Sequence, residues 1–326
     1  MRAIRYTEYG PPDVLQIAEV DKPAPDENQI LIKVHAASIN AYDYRFMRAD
    51  PFFIRLVGGL LRPKNPRLGI DLAGRVEAVG GNVEGFRPGD EVFGCAQGAF
   101  AEYALARGVN LALKPAKKSF AQAAALPTAA LTALQGLRDA AGIQPGQKVL
   151  IQGASGGVGT FAVQLAKSFG ADVTAVCSTR NLEIAQAIGA DHVIDYTQQD
   201  FARSPQRYDL IFGVNGYHSL TAYSRALTSQ GTYICAGGKM PQIFEVMLLG
   251  PLLSRQGGKK LANMGLAKVN HTDLAYLGEL LEAGKIDPVI DGTYPLSETP
   301  EAFRYIEEKH AQGKVIILVE GDNQTG

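Results

Sequence analysis

Cysteine is scarce in this chain. Cys95, Cys177 and Cys235 are the only three in 326 residues, odd in number and far apart. Such a set builds neither a disulfide framework nor a four-thiolate zinc site, and it suits a reducing compartment. An excess of one charge is lacking too. Lys and Arg number 32 against 33 Asp and Glu, a formal net charge of −1, and that balance draws the chain toward neither nucleic acid nor an anionic membrane. No apolar run approaches the roughly 18 residues of a membrane span; the nearest, Val246 to Leu253, contains Gly250 and Pro251. The opening residues MRAIRYTEYGPPDVLQ hold no apolar core of a secretory signal. What is present is ordinary globular material, 46% hydrophobic and 20% charged, enough for a sizeable core. At roughly 100–200 residues per domain the length predicts two domains. These features together describe a soluble, cytoplasmic protein.

The first third reads as β structure rich in turns. IRYTEYGPPDVLQIAEV and QILIKVHAASIN carry β-branched and aromatic residues at strand spacing, separated by Pro and Asp. From Gly69 to Gly94 short apolar runs are punctuated by glycine, as in a small, strongly bent barrel or sandwich. Near residue 119 the text becomes Ala- and Leu-rich at helical spacing, interrupted by Pro127. From Gln147 strands alternate with helices: QKVLIQG, a glycine turn and helix, ADVTAVCST, NLEIAQAIGA, DHVIDY, then YDLIFGV and GTYICAGG. That alternation predicts a doubly wound parallel sheet. The helix HTDLAYLGELLEAG, the strand-like DPVIDGTYPL and GKVIILVE, and the helix ETPEAFRYIEEKH between them then rejoin the first domain. The fold class is α/β, a β-rich domain plus a doubly wound one.

The strongest chemical signal is the turn Gly153-Ala-Ser155-Gly156-Gly157-Val158-Gly159, directly after an apolar strand and directly before a helix. Gly153 permits the strand-to-helix turn, Gly156 and Gly157 let backbone approach a pyrophosphate, and Gly159 lets the helix pack on the sheet. The helix start adds unpaired N–H groups and a positive dipole end. A packing-only glycine turn is the alternative. The next strand selects the cofactor. An NAD site places Asp or Glu near its end for the ribose 2′-hydroxyl, whereas here the text reads Ala175-Val-Cys-Ser178-Thr179-Arg180. Ser178 and Thr179 can donate to a 2′-phosphate and Arg180 can pair with its charge, which predicts NADPH; alternatively Arg180 simply opens the next helix in solvent. Tyr196 ends the following strand and either lines the adenosine pocket or packs.

Taken together, HAASINAYDYRFMRAD, LGIDLAGRVEAVG, RPGDEVFG, LPTAALTALQGL, the glycine turn and HAQGKVIILV make the chain resemble the medium-chain dehydrogenase/reductase superfamily, and within it the zinc-independent quinone oxidoreductase branch. The resemblance implies a GroES-like catalytic domain formed by residues 1–124 and 266–326, a Rossmann domain over 125–265, and a cofactor in the cleft between them. Zinc-dependent members place a catalytic Cys near the position of Asn40 and Gly-His-Glu where this chain has Gly69-Ile70-Asp71, and they carry a four-cysteine loop missing here. With His35 and His192 isolated and Cys95 alone, no metal is expected.

The resemblance also puts Asn40 in the active-site loop, where its amide N–H groups can meet a carbonyl oxygen; the alternative is a turn residue capping backbone. Tyr42 and Tyr44 could stack on a ring or donate a proton, and on a strand they would share a face. Asp43 reads as ordering the loop. Thr128 resembles the position whose hydroxyl meets the nicotinamide carboxamide, Val214, Gly237 and Gly238 should pass near the nicotinamide ribose, and Lys314 either reaches the cleft or lies at the surface. Pro51 to Leu61 and Ile243 to Leu253 are candidates for a lid over a hydrophobic substrate, a subunit interface or a shallow membrane contact. The expected function is NADPH-dependent reduction of a quinone or α,β-unsaturated carbonyl by a homodimer. The alternatives are an alcohol/aldehyde or enoyl-thioester oxidoreductase and a non-catalytic NADPH-binding scaffold.

Overall fold

The computed structural model describes residues 1–216, 218–238, 240–254, 258–308 and 311–319. The chain divides into two compact units, one of residues 1–128 and 269–326 and the other of residues 129–268.

The first unit opens with β1 (Arg2–Arg5) and β2 (Gln16–Glu19), an antiparallel pair. Then come β3 (Ile30–Ser38), α1 (Ala41–Arg48), α2 (Ile54–Gly58), β4 (Asp71–Val79), β5 (Glu91–Cys95), β6 (Tyr103–Ala106), β7 (Leu111–Leu113) and α3 (Phe120–Ala124). β3 is the central strand, and Ile30, Ile32 and Val34 along it are fully buried. It pairs antiparallel with both β4 and β6. α3 starts at Ser119 because the Ser119 hydroxyl accepts from Gln122 N–H while the Gln122 side chain accepts from Ser119 N–H, a reciprocal cap.

The second unit takes most of α4 (Pro127–Gln135) and then β8 (Lys148–Gln152), α5 (Gly157–Ser168), β9 (Asp172–Cys177), α6 (Leu182–Ala187), β10 (His192–Asp195), β11 (Tyr208–Gly213), α7 (Leu220–Ala226), β12 (Leu227–Cys235), α8 (Met240–Ser254) and β13 (Lys260–Asn263). The six strands are parallel in the order β10-β9-β8-β11-β12-β13. The strand order reverses beside β8, so the glycine turn that follows β8 lies at the switch point of a Rossmann sheet. Sequence periodicity finds five of these strands and misses α8 and β13. Gly250 and Pro251, noted from sequence only as interrupting the apolar run Val246 to Leu253, both lie inside α8. Gly250 is there for close approach, since a Cβ on it would meet the Leu261 carbonyl of β13 at 2.6 Å.

The chain then returns to the first unit through α9 (His271–Glu282), β14 (Ile290–Pro295), α10 (Thr299–Glu307) and β15 (Lys314–Leu318). β15 pairs antiparallel with β3, completing the order β14-β15-β3-β4-β5-β7 with β6 off the path on β3. Phe303 of α10 stacks edge-on against Phe100 at 5.9 Å in the core of this sheet. Among the described residues no helix is long and apolar enough to cross a membrane.

Candidate functional site

In the first unit, strand register assembles a buried polar cluster. Ser38 of β3, Asp71 of β4 and Cys95 of β5 are direct cross-strand partners, so the three side chains stand in one row. Asp71 is the hub and is fully buried. It accepts from the Asn40 Nδ2 amide at 2.9 Å, the Thr128 hydroxyl at 2.6 Å, the Thr128 backbone N–H at 3.1 Å, the Ser38 hydroxyl at 3.4 Å and the Cys95 thiol at 3.4 Å. Because Pro127 has no N–H, the Thr128 amide is the first donor of α4. Asp71 therefore caps that helix from a neighbouring strand, a carboxylate at a positive helix end.

Lys314 closes the cluster. Its ammonium donates to the Asn40 Oδ1 at 2.6 Å and the Ile39 carbonyl at 3.1 Å, and it lies 3.9 Å from Asp71. It is buried, so the surface placement considered from sequence is wrong; burial draws its pKa down, opposed by Asp71 and Asp43. Burial likewise drives the Cys95 thiol well above its ordinary value, with Asp71 adding to the shift.

The Asn40 loop is also revised. The chain enters α1 at Asn40, whose backbone N–H donates to Asp43 Oδ2 at 2.8 Å, while Asp43 Oδ1 accepts from Gly69 N–H at 3.1 Å. Burial, reinforced by Asp71, raises the Asp43 carboxyl to about 7 against those two N–H donors. Asp43 thus orders the loop as expected. The Asn40 Nδ2 hydrogens go to Asp71 and the Ser38 carbonyl rather than outward, so Asn40 joins the cluster and does not offer its amide to a ligand. Tyr42 and Tyr44 lie on α1, not on a strand; two residues apart on a helix they point in different directions. Tyr42 is 42% exposed and stacks on Phe46, whereas Tyr44 packs against the core.

The second unit holds the glycine turn, and its glycines differ in what they do. A Cβ on Gly159 would stand 2.0 Å from the Gly153 carbonyl, so that position is required for packing α5 on β8. Gly153 has φ +82° and faces Asn215. A Cβ on Gly156 would meet nothing closer than the Gly153 carbonyl at 3.7 Å, an ordinary contact. Internal packing gives no reason for glycine there, which leaves space for a ligand's approach to the N-terminus of α5.

Asn181, which sequence reasoning did not single out, ties this turn to the end of β9. It is 5% exposed and donates to the Ser155 hydroxyl at 2.9 Å and the Ser178 hydroxyl at 3.1 Å. Thr179 is turned the other way: its hydroxyl donates to Asp195 Oδ2 at 2.6 Å, so it is not a donor to a phosphate. With Thr197 and Gln198 it saturates the Asp195 carboxylate and holds that carboxyl below its usual range. Arg180 and Tyr196 are both exposed near these strand ends. Val214 donates its N–H to the Gln152 carbonyl at 3.0 Å, and a Cβ on Gly237 would lie 2.8 Å from the Val214 carbonyl. The ends of β8, β11 and β12 therefore meet, with Gly238 (φ +111°) after them. Beneath them the Gln152 side chain accepts from Tyr223 at 2.6 Å, and Gln242 donates to Tyr223 at 2.9 Å and Tyr233 at 2.6 Å.

Asp71 and Asn181 escaped sequence reading for different reasons. Asp71 left a signal, a carboxylate opening an otherwise apolar strand in GIDLAG. Asn181 left none, since its partners are set by the loop's path.

Residues 26–136 match the alcohol dehydrogenase GroES-like domain and residues 188–317 the zinc-binding dehydrogenase family. The chain is 33% identical over 338 residues to a chloroplastic quinone oxidoreductase of Triphysaria versicolor, covering 97% of this chain and 98% of that one. It is 35% identical over 332 residues to a chloroplastic NADPH-dependent alkenal/one oxidoreductase of Arabidopsis thaliana, covering 97% and 79%. The solved structure of a quinone oxidoreductase from Coxiella burnetii has a TM-score of 0.87 to this fold at 32% identity, over 98% of this chain and 99% of that one.

The zinc of the second family's description does not fit the residues here. Among the described residues no three His, Cys, Asp or Glu side chains converge as ligands. At Asp71 the neighbours are an amide, two hydroxyls, a thiol driven toward its neutral form and a lysine. On this end-to-end likeness the chain belongs to the medium-chain dehydrogenase/reductase superfamily, in its quinone oxidoreductase branch.

Proposed function

We propose that the protein is an NADPH-dependent oxidoreductase that passes a hydride, without a metal ion, to a quinone or an α,β-unsaturated carbonyl. The observation that carries the cofactor assignment is Gly156: its missing side chain serves no internal packing, and it stands at the start of a 12-residue helix whose first N–H groups suit a pyrophosphate. Ser155 and Ser178, joined by Asn181, hold the pyrophosphate turn and the 2′-phosphate end in one frame. Preference for the phosphorylated ribose rests on exposed Arg180 and on Asp195, whose oxygens are engaged by Thr179, Thr197 and Gln198 and so are poor acceptors for a ribose hydroxyl.

Bound in that turn, NADPH supplies the hydride. The protein's own groups decide which acceptor receives it. Asp43 and Asp71 are buried and hydrogen-bonded, burial lowers the pKa of Lys314, and burial together with Asp43 raises that of Tyr42. With Asp43, Asp71 and Lys314 committed to hydrogen bonds inside the cluster and no set of metal ligands among the described residues, the acceptor best suited is one that spreads the arriving negative charge through its own conjugation, as a quinone or enone does and a simple aldehyde does not. The Thr128 hydroxyl donates to Asp71, so toward a carboxamide it acts as an acceptor of N–H. Val214, Gly237 and Gly238 supply close-packed backbone where the ribose would pass.

Initial rates with a benzoquinone, an alkenal and a simple aldehyde, each with NADPH and NADH, test this reading. The expected result is turnover of the conjugated acceptors with NADPH preferred, and an Arg180→Ala variant whose KM for NADPH rises roughly tenfold while that for NADH is unchanged. Aldehyde turnover alone, or an Arg180→Ala variant indistinguishable from the parent, would overturn it.

A further inference from the structure

We infer that the surface from Phe52 to Leu61, together with Arg62 and Lys64, is a docking face for an anionic lipid membrane. The near-neutral charge of the whole chain conceals a strongly biased stretch: between residues 45 and 67 there are Arg45, Arg48, Arg55, Arg62, Lys64 and Arg67 against one acidic residue, Asp50. In the middle of that stretch large apolar side chains face solvent. Phe52 is 67% exposed, Leu56 70%, Val57 72%, Leu60 58% and Leu61 86%. So many exposed apolar groups within ten residues exceed the scattered leucines of an ordinary surface.

The scaffold beneath them is built rather than loose. Ile54 is buried at the base, and the Tyr9 hydroxyl donates to the Gly59 carbonyl at 2.8 Å. The Arg55 guanidinium lies 4.8 Å over the Tyr9 ring and 5.6 Å over Phe52. Gly59 holds φ +121°, and a Cβ there would strike the Arg62 carbonyl. An ordered base thus presents an apolar crest with cations at its rim.

Charge decides which occupant fits. Arg48 is paired with Glu307, but Arg62 and Lys64 form no ion pair among the described residues. An isologous contact with a second copy through this face would bring two cation-rimmed patches together, with no acid between residues 51 and 67 to compensate. A lid folded over a substrate would turn Leu61 inward, whereas it is almost wholly exposed. An interface of acyl chains beneath anionic headgroups satisfies both the crest and the rim. α2 is far too short to span, so the contact is peripheral.

The test is co-sedimentation of the full chain with phosphatidylcholine vesicles, with and without about 30% phosphatidylserine. The proposal expects at least roughly tenfold tighter binding to the anionic vesicles, weakened by molar salt. An Arg62→Glu/Lys64→Glu variant should lose the anionic preference, and a Phe52→Ser/Leu56→Ser/Leu61→Ser variant should lose vesicle binding altogether, with circular dichroism unchanged in both. The proposal is overturned if the parent ignores anionic vesicles or if the variants bind as the parent does. Conversion of a dimer to a monomer by the serine variant would assign the face to a second copy. Slowed turnover of a water-soluble acceptor with vesicle binding intact would assign it to a lid. The vesicle-binding and oligomer readouts do not depend on the reaction proposed above.

Discussion

Lys314 is a cation enclosed by the Asn40 amide oxygen, the Ile39 carbonyl and the Asp71 carboxylate. Removing one partner from such a set leaves buried polar atoms unsatisfied and a carboxylate uncompensated. Lys314→Met is therefore expected to cost about 3–5 kcal/mol in urea unfolding at neutral pH, and a loss well under 1 kcal/mol would show that Asp71 does not rely on it. Asp43 gives the residue scale a pH signature. Its carboxyl titrates near 7 in the fold against an ordinary 3.8, so the native state holds the proton more tightly than the unfolded chain. That contribution to stability is complete below about pH 4 and drains away as pH rises through about 7. Asp43→Asn should flatten the fall in urea midpoint across this window; an unchanged slope would contradict the assignment. At this scale the sequence was only partly legible. Asn40, Thr128 and Lys314 were each named from it, but their convergence on Asp71 depends on the register of β3, β4 and β5 and on the antiparallel pairing of β15 with β3, which no local pattern encodes.

Among the elements, the β8–turn–α5 unit was legible because glycine spacing is local: Gly153 and Gly159 answer to nearby atoms, and Gly156 has none closer than 3.7 Å. Its two functions separate experimentally. Gly159→Ala forces a Cβ to within 2.0 Å of the Gly153 carbonyl, so it should destabilise the second unit and lower its melting temperature. Gly156→Ala has room in the fold and should melt as the parent does, yet bind NADPH roughly tenfold or more weakly by titration calorimetry. If Gly156→Ala bound normally, the turn would not be the phosphate site. Other elements were misread for identifiable reasons. The segment through Tyr42 and Tyr44, left open between strand and turn, is the helix α1, because Asn40 and Asp43 satisfy each other's backbone groups and start a helix there. α8 was missed together with β13, and the glycine inside it, Gly250, is explained only by β13 lying against the helix.

For the whole molecule, two units stand out: a Rossmann sheet whose switch point is the proposed dinucleotide site, and a β-rich unit whose polar cluster is internally satisfied and holds no set of metal ligands among the described residues. In the proposed reaction hydride passes directly from NADPH to a conjugated acceptor with no metal taking part. Its most direct test is turnover of an alkenal with NADPH carrying deuterium at the transferring C4 position, using protein dialysed against a chelator. Full activity is expected after chelation, with deuterium at the β-carbon of the saturated product and the α-carbon proton drawn from solvent. Activity abolished by the chelator and restored by zinc, or product without deuterium at the β-carbon, would contradict it.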